Sequence, residues 1–198
     1  MRDITRLFDI VISFIALLLL SPLLCIIAVA VKLNSRGPSL FRQVRVGRDN
    51  KDFIIYKFRT MHTDAHLKYS LTVGKRDTRI TAIGYYLRRY KLDELPQLYN
   101  VLKGDMSLVG PRPELRKYVD MYSPQQKKIL SVRPGITDYA SILYRNENEL
   151  LANAENPELY YIQHIMPRKL ELNNKYLLNK SVSAYFHILS RTFLSLFH

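Results

Sequence analysis

Tryptophan is absent from this 198-residue sequence, and cysteine occurs once, as Cys25. A lone cysteine closes no intrachain disulfide and supplies no zinc cluster, which fits a reducing compartment. Glycine and proline are sparse, at seven and nine residues. No segment reads as a flexible linker, a low-complexity tract or an internal repeat. Neither G-x-x-x-x-G-K-[ST] nor G-x-G-x-x-G occurs, so nucleotide recognition of P-loop or Rossmann type is not expected. Among the five histidines only His62 and His66 are four apart, and they read as a solvated loop pair rather than metal ligands. Acidic residues are few, 17 against 30 Lys plus Arg, a formal charge of +13. That excess favours anionic partners: nucleic acid, anionic lipid or phosphorylated small molecules.

Charge is missing altogether from residues 10–31, between Asp9 and Lys32. Three readings compete for this run. A spanning helix is the default for about 20 apolar residues. A signal peptide would use Arg2 and Arg6 as its basic start and Ala28-Val29-Ala30 as a cleavage site, although the run exceeds the usual ~7–15 residues. A re-entrant hairpin follows from Ser21-Pro22. Pro22 lacks an N–H and its ring opposes the carbonyl of Leu18. The Ser21 hydroxyl can satisfy that carbonyl where lipid offers no partner. Residues 10–21 and 22–31 would form arms of ~18 and ~15 Å. Neither crosses a ~30 Å hydrocarbon core. Basic residues flank both sides, Arg2 and Arg6 before and Lys32, Arg36, Arg42, Arg45 and Arg48 after, whereas a spanning segment usually favours one side.

The remainder predicts an α+β fold, mostly helical. Two short strands flank a polar turn at Gly47–Lys51, the second being Phe53–Phe58. Thr81 can cap a helix reaching Tyr90. A second helix is expected to start near Asp93, with Leu95, Leu98 and Leu102 on one face, Pro96 in its first turn and Gly104 as its stop. Ser123-Pro124 signals a further helix, followed by a turn at Arg133-Pro134-Gly135. Two helical patches meet at Pro167. In the tail, Val182, Tyr185, Phe186, Leu189, Phe193, Leu196 and Phe197 share one face, which suits either core packing or an interfacial helix.

The chemistry centres on Asp93-Glu94. Acidic residues at a helix start ordinarily complement the dipole. Here Arg88, Arg89 and Lys91 precede the pair, Lys57 and Arg59 lie upstream, and Arg112 follows in "GPRPE". A carboxylate among cations is expected to keep a low pKa. An ionised Asp can attack phosphorus, and a second carboxylate can hold Mg²⁺ with phosphate oxygens. Arginines can take the remaining phosphate charge bidentately.

Taken together, "SP" within the apolar run, "YKFRTM", "LDELPQLYNVLKGDMSLVGPRPE" and "VRPGIT" resemble the bacterial sugar transferase family, the monotopic polyprenyl-phosphate phosphoglycosyl transferases. The resemblance covers residues 1 to about 195. It implies transfer of a sugar-1-phosphate from a UDP-sugar to polyprenyl (undecaprenyl) phosphate, with release of UMP and use of Mg²⁺. It implies Asp93 as nucleophile and Glu94 as the Mg²⁺ partner. Arg88 and Arg112 become phosphate contacts, joined by Arg59 and Arg133, and Arg145 a nucleotide contact. Ser21-Pro22 becomes the helix break of a re-entrant anchor. The implied layout is an anchor at 1–36 and an interfacial catalytic domain at 37–198 facing the cytoplasm of a bacterial inner membrane. Downstream glycosyltransferases are possible partners, and nucleic acid is not one.

The sequence departs from the family pattern after "RPGIT". Many members read G-L-A-Q-V; here stand Asp138-Tyr139-Ala140-Ser141-Ile142, and "YRNENELLA" beyond them also differs. Asp138 reads as a turn residue, and the departure leaves the donor sugar open. Two rival readings remain. A nucleic-acid binder is suggested by charge alone and leaves the apolar run and acidic pair without a role. A non-catalytic membrane adaptor of a glycan-assembly complex would tolerate Asp93→Asn.

Overall fold

A computed structural model describes residues 2–63, 73–74 and 77–195, excepting the side chains of residues 2 and 3. Arg2's side chain, His66 and the tail positions Leu196 and Phe197 therefore lie outside the described residues.

Helix α1 (Arg2–Asn34) carries the apolar run. At 1.5 Å per residue it is about 50 Å long. Only about a tenth of its most apolar stretch is buried, so it is not the central helix of a soluble core, and it is long and apolar enough to cross a membrane. Helical backbone continues through Pro22. The expected break at Ser21-Pro22 is thus not seen in the backbone, and the local adjustment is one exchanged hydrogen bond. The Ser21 hydroxyl donates to the Leu18 carbonyl at 2.8 Å, the group that Pro22 leaves without an amide.

Both ends of α1 dock on the same body. Near its start, Arg6 donates to the carbonyls of Val101 and Leu102 at 2.7 and 3.1 Å. Near its end, Ile27 and Val31 pack with Phe58 and Leu87. Ser39 donates to the Ala28 carbonyl there. Between these contacts Phe14, Ile15, Leu18 and Leu19 are exposed.

Strands β1 (Leu40–Val46) and β2 (Asp52–Phe58) form the expected antiparallel hairpin, with Leu40 opposite Phe58 and Val46 opposite Asp52. Asp49 and Asn50 turn it at φ of 56° and 60°, which short polar side chains tolerate. Thr81 caps α2 (Ala82–Arg89) by accepting the Gly84 amide. Gly84 is required for close approach: a Cβ there would lie 2.1 Å from the Thr60 carbonyl oxygen. Helix α3 (Gln97–Lys103) follows, closed by Gly104 at φ 98°. It starts four residues later than expected. Asp93 and Glu94 occupy a separate 3-10 turn, Leu92–Glu94, entered through Lys91 at φ 57°.

Asn100 fastens α3 to β2. Its amide donates to the Ile54 carbonyl at 2.7 Å and accepts from the Tyr56 amide at 3.1 Å. A second, parallel pair was not anticipated: β3 (Ser107–Val109) beside β4 (Gly135–Thr137). At three residues each, these strands are too short for a visible alternation. Between them lie α4 (Arg116–Val119) and the segment after Ser123. The Ser123 and Gln126 side chains cap each other's amides there. The six residues that follow, Gln126–Ser131, form 3-10 rather than α structure. Pro134 closes the available length by forcing extended backbone ahead of it.

Helices α5 (Tyr139–Leu143), α6 (Glu147–Ala152), α7 (Pro157–Tyr160) and α8 (Met166–Leu178) complete the body. Pro167 does not separate α7 from α8. A π turn, Tyr161–Ile165, joins them by widening the backbone just ahead of the proline. Helix α9 (Val182–Ser195) buries Tyr185 and Ile188. The expected apolar face is thus divided, because Phe186 and Phe193 are exposed.

Gly110 and Gly135 let the parallel pair close. A Cβ on Gly135 would lie 2.1 Å from the Gly110 amide nitrogen. Gly135→Ala is expected to destabilise the protein by about 2 kcal/mol or more, as overpacking against rigid backbone does. Thermal melts in detergent check this; an unchanged midpoint would mean that the strands separate freely.

Candidate active site

Three segments converge on the acidic pair. Lys57 comes from β2, the carboxylates from the 92–94 turn, and Arg112 from the loop after β3. Lys57 Nζ donates to Glu94 Oε1 at 2.8 Å. Arg112 clasps both oxygens of Glu94, through Nη2 to Oε1 and through Nη1 to Oε2 at 3.2 Å. Burial alone would push the Glu94 carboxyl up. The Arg112 and Lys57 cations outweigh it and hold Glu94 well below the usual carboxylate range. Glu94 in turn raises the pKa of Arg112. Burial lowers that of Lys57, against the pull of Glu94.

Asp93 behaves differently. It is 9% exposed. Among the described residues it has no hydrogen bond and no ion pair; Lys57, Arg88 and Lys91 act on it only at longer range. Burial first, and the Glu94 charge second, raise its pKa above the ordinary aspartate value. The expectation of a depressed carboxylate therefore holds for Glu94 and not for Asp93. The two cations bonded to the pair, Arg112 and Lys57, both engage Glu94, and among the described residues none bonds Asp93. Arg88 sits half-buried at the end of α2; burial lowers its pKa while Asp93 raises it.

The other expected contacts are spread more widely. Arg59 is buried and caps the C-terminal end of α1, donating to the carbonyls of Val31 (3.3 Å), Ser35 (2.8 Å) and Arg36. It has no hydrogen bond or ion pair to Asp93 or Glu94. Arg133 donates to the Gly104 carbonyl at 2.8 Å, at the end of α3. Arg145 lies half-buried in the turn between α5 and α6.

Two supports of Arg112 were missed in the sequence. Asp138, read as a turn residue, is fully buried. Its carboxylate accepts the Arg112 amide at 3.3 Å and the Ser141 amide at 2.5 Å, capping α5 while fixing the backbone of Arg112. Arg45 donates to the Pro113 carbonyl and pairs with Glu114, which also accepts the Tyr161 hydroxyl. The signal for Asp138 was present, since Asp just ahead of a helical segment is a favoured N-cap residue.

No group of three or more His, Cys, Asp or Glu side chains is gathered for a metal among the described residues. Mg²⁺ needs no such group, because it takes one or two carboxylates and completes its shell with phosphate oxygens and water. The Asp93-Glu94 pair fits that requirement once a phosphorylated molecule is present.

A buried carboxylate pair among cations sits on a mostly helical body with one long apolar helix, and those cations suit anionic phosphate groups. The pattern of the bacterial sugar transferase family matches residues 1–198, and the chain belongs to that family. It is 42% identical over 172 residues to UDP-glucose:undecaprenyl-phosphate glucose-1-phosphate transferase of Escherichia coli K12, covering 83% of this chain and 36% of that protein. It is 45% identical over 148 residues to undecaprenyl-phosphate glucose phosphotransferase of Komagataeibacter xylinus, covering 69% of this chain and 27% of that one. It is 43% identical over 141 residues to the uncharacterized sugar transferase EpsL of Bacillus subtilis, covering 71% and 69%. The chain thus spans about a third of the length of the first two relatives.

Asp93 gives a stability test independent of turnover. Its folded-state pKa is raised, so the folded chain holds that proton more tightly than the unfolded one. Its charged form therefore costs stability, and the cost grows as pH rises from the unfolded value through the folded one. Asp93→Asn is expected to melt higher than wild type at neutral pH, with the difference vanishing below the ordinary aspartate range. Melting curves across pH check this; a lower midpoint at neutral pH would mean that Asp93 is paired and stabilising.

Proposed function

We propose that this chain transfers a sugar-1-phosphate from a UDP-sugar to polyprenyl phosphate and releases UMP. The observation that carries this reading is the buried carboxylate of Asp93, without a hydrogen bond or ion pair among the described residues, beside a Glu94 held by Arg112 and Lys57. The family and the activities named for its relatives support it.

The reaction balances in two displacements. A carboxylate oxygen of Asp93 attacks the sugar-bearing phosphorus, and the P–O bond to UMP breaks with its electron pair leaving on UMP. The sugar phosphate then rests on Asp93 as an acyl phosphate. An oxygen of the polyprenyl phosphate attacks the same phosphorus and returns the carboxylate. No proton needs to move in either step. Burial suits Asp93 to this: a desolvated carboxylate without hydrogen bonds is a better nucleophile than one held by cations. Arg88, Lys91 and Arg112 border the space where transferred charge gathers. Glu94 holds Arg112 in place and, with Asp93 and phosphate oxygens, would hold Mg²⁺, which supplies charge neutralisation on the diphosphate.

The raised pKa of Asp93 sets the acid limb of the rate. Because the nucleophile must be ionised, kcat/KM is expected to fall with decreasing pH at a point above the ordinary aspartate range. A limb at or below that range would mean that bound Mg²⁺, with Arg88 and Lys91, offsets the burial of Asp93.

The anchor reading is re-entrant. The backbone stays helical through Pro22, but both ends of α1 hold the same body, and a bend at Ser21-Pro22 into one leaflet would keep residues 37–198 on one face, where cytosolic donor and lipid-borne acceptor both reach Asp93. The +13 charge favours an anionic cytoplasmic surface.

Incubating full-length protein with donor alone, Mg²⁺ and a panel of UDP-sugars is expected to release UMP and to leave a sugar-phosphate mass on the peptide carrying Asp93. Asp93→Asn abolishes both, whereas a membrane adaptor would keep its function. Single cysteines at Ile4 and Arg36, in a Cys25→Ser background, are expected to label from the same side of sealed vesicles. Labelling from opposite sides refutes the hairpin.

A further inference from the structure

Asp9 borders the apolar run of α1, and it is 3% exposed. A charge on an anchor helix ordinarily escapes to water or lies at a helix end. Asp9 does neither. Its Oδ1 accepts three hydrogen bonds: from the Leu108 amide at 2.9 Å, the Ser107 hydroxyl at 3.1 Å and the Tyr185 hydroxyl at 2.8 Å. These donors come from β3 and α9, nearly a hundred residues or more away in sequence. Burial, and Asp9 beside it, push the Tyr185 hydroxyl well up, so it remains a donor throughout the working pH range.

The bond to Leu108 bears on the site. Residues Ser107–Val109 are β3, and the chain passes from Val109 through Gly110 and Pro111 to Arg112. On the β4 side, β3 is held at Ser107 and Val109. The Leu108 amide points the other way, towards α1, and Asp9 is its partner. Pro111 and Pro113 stiffen the segment that follows, so a displacement of β3 is passed on rather than absorbed. Meanwhile Arg6, one turn before Asp9, grips the last carbonyls of α3, whose first turn adjoins Asp93-Glu94. The first turns of α1 thus hold both segments that meet at the Glu94–Arg112 pair.

We propose that Asp9 is a positioning residue: by holding Leu108 and Ser107 it makes the placement of Arg112 conditional on the docking of the apolar helix. A chain whose anchor has not docked would carry the acidic pair without its clasp. This rests on the reading of Arg112 as a substrate-phosphate contact, and the test is built to fail separately from that reading.

The test uses the full chain in lipid nanodiscs, with the most active UDP-sugar and undecaprenyl phosphate. Asp9→Ala removes the acceptor and strands a buried amide. Asp9→Asn keeps an oxygen in the same place. Asp9→Ala is expected to lower kcat/KM for the donor about tenfold or more, while Asp9→Asn stays within about threefold of wild type. In an Arg112→Lys background the Asp9→Ala factor is expected to fall to about one, because residues acting through one another are not additive. An equal factor in both backgrounds, or full activity in Asp9→Ala, overturns the proposal and leaves Asp9 a packing residue. Should Asp9→Ala fail to fold, Ser107→Ala and Tyr185→Phe each delete one donor and carry the same cycle. Should the wild type transfer nothing from any UDP-sugar, the function is wrong but the proposal is still decided by the ¹⁵N resonances of the Arg112 guanidinium. These are expected to shift in Asp9→Ala and to stay in Asp9→Asn; unchanged resonances in both overturn it.

Discussion

The Glu94 carboxylate, held by Arg112 on both oxygens and by Lys57 on one, is the joint on which this structure turns. It brings together a hairpin strand, a 3-10 turn and a loop that are far apart in sequence. Buried ion pairs add little net stability, because desolvation consumes most of the Coulombic gain. Their cost when half-removed is large, so they make one arrangement far better than its neighbours. Here that arrangement leaves the adjacent Asp93 without a bonded partner among the described residues. The same cations cannot serve both carboxylates, and the asymmetry gives two consecutive acidic residues opposite electrostatic characters.

The sequence disclosed whatever depends on neighbours along the chain. The hairpin was legible from the aromatic and β-branched run up to Phe58 and the polar turn before it. The α2 cap at Thr81, the Gly104 stop and the Ser21 hydroxyl's service to Leu18 followed from local rules. The acidic pair and Arg112 were found by charge and confirmed as neighbours by the fold. What stayed hidden depends on distant partners. The β3–β4 pair is too short to show a period, and its signature is two glycines whose closeness no local rule reveals. The depressed carboxylate was expected at Asp93 and lies at Glu94, because only the fold decides which oxygen the guanidinium reaches. The family resemblance made Arg59 a phosphate contact; in the fold its guanidinium closes the end of α1, a placement that position in the chain does not betray.

The body is also organised around the apolar helix rather than merely attached to it. Arg6 and Asp9 reach α3, β3 and α9, while Arg59 and Ser39 hold the other end. Two of the three apolar clusters take side chains from α1. The body and the apolar helix therefore share packing, and a boundary near residue 36 divides the chain in sequence more cleanly than in space.

The π turn at Tyr161–Ile165 has its own consequence. One surplus residue shifts the phase of everything before it by roughly 100° about the helix axis. That rotation is what turns Tyr161 inward, where its hydroxyl reaches Glu114. Glu114 lies two residues past Arg112, so the angular offset of one distant helical segment is written into the alignment of the guanidinium. A lineage that lost a single residue here would keep its helices and its core composition, yet would misaim the arm that grips Glu94.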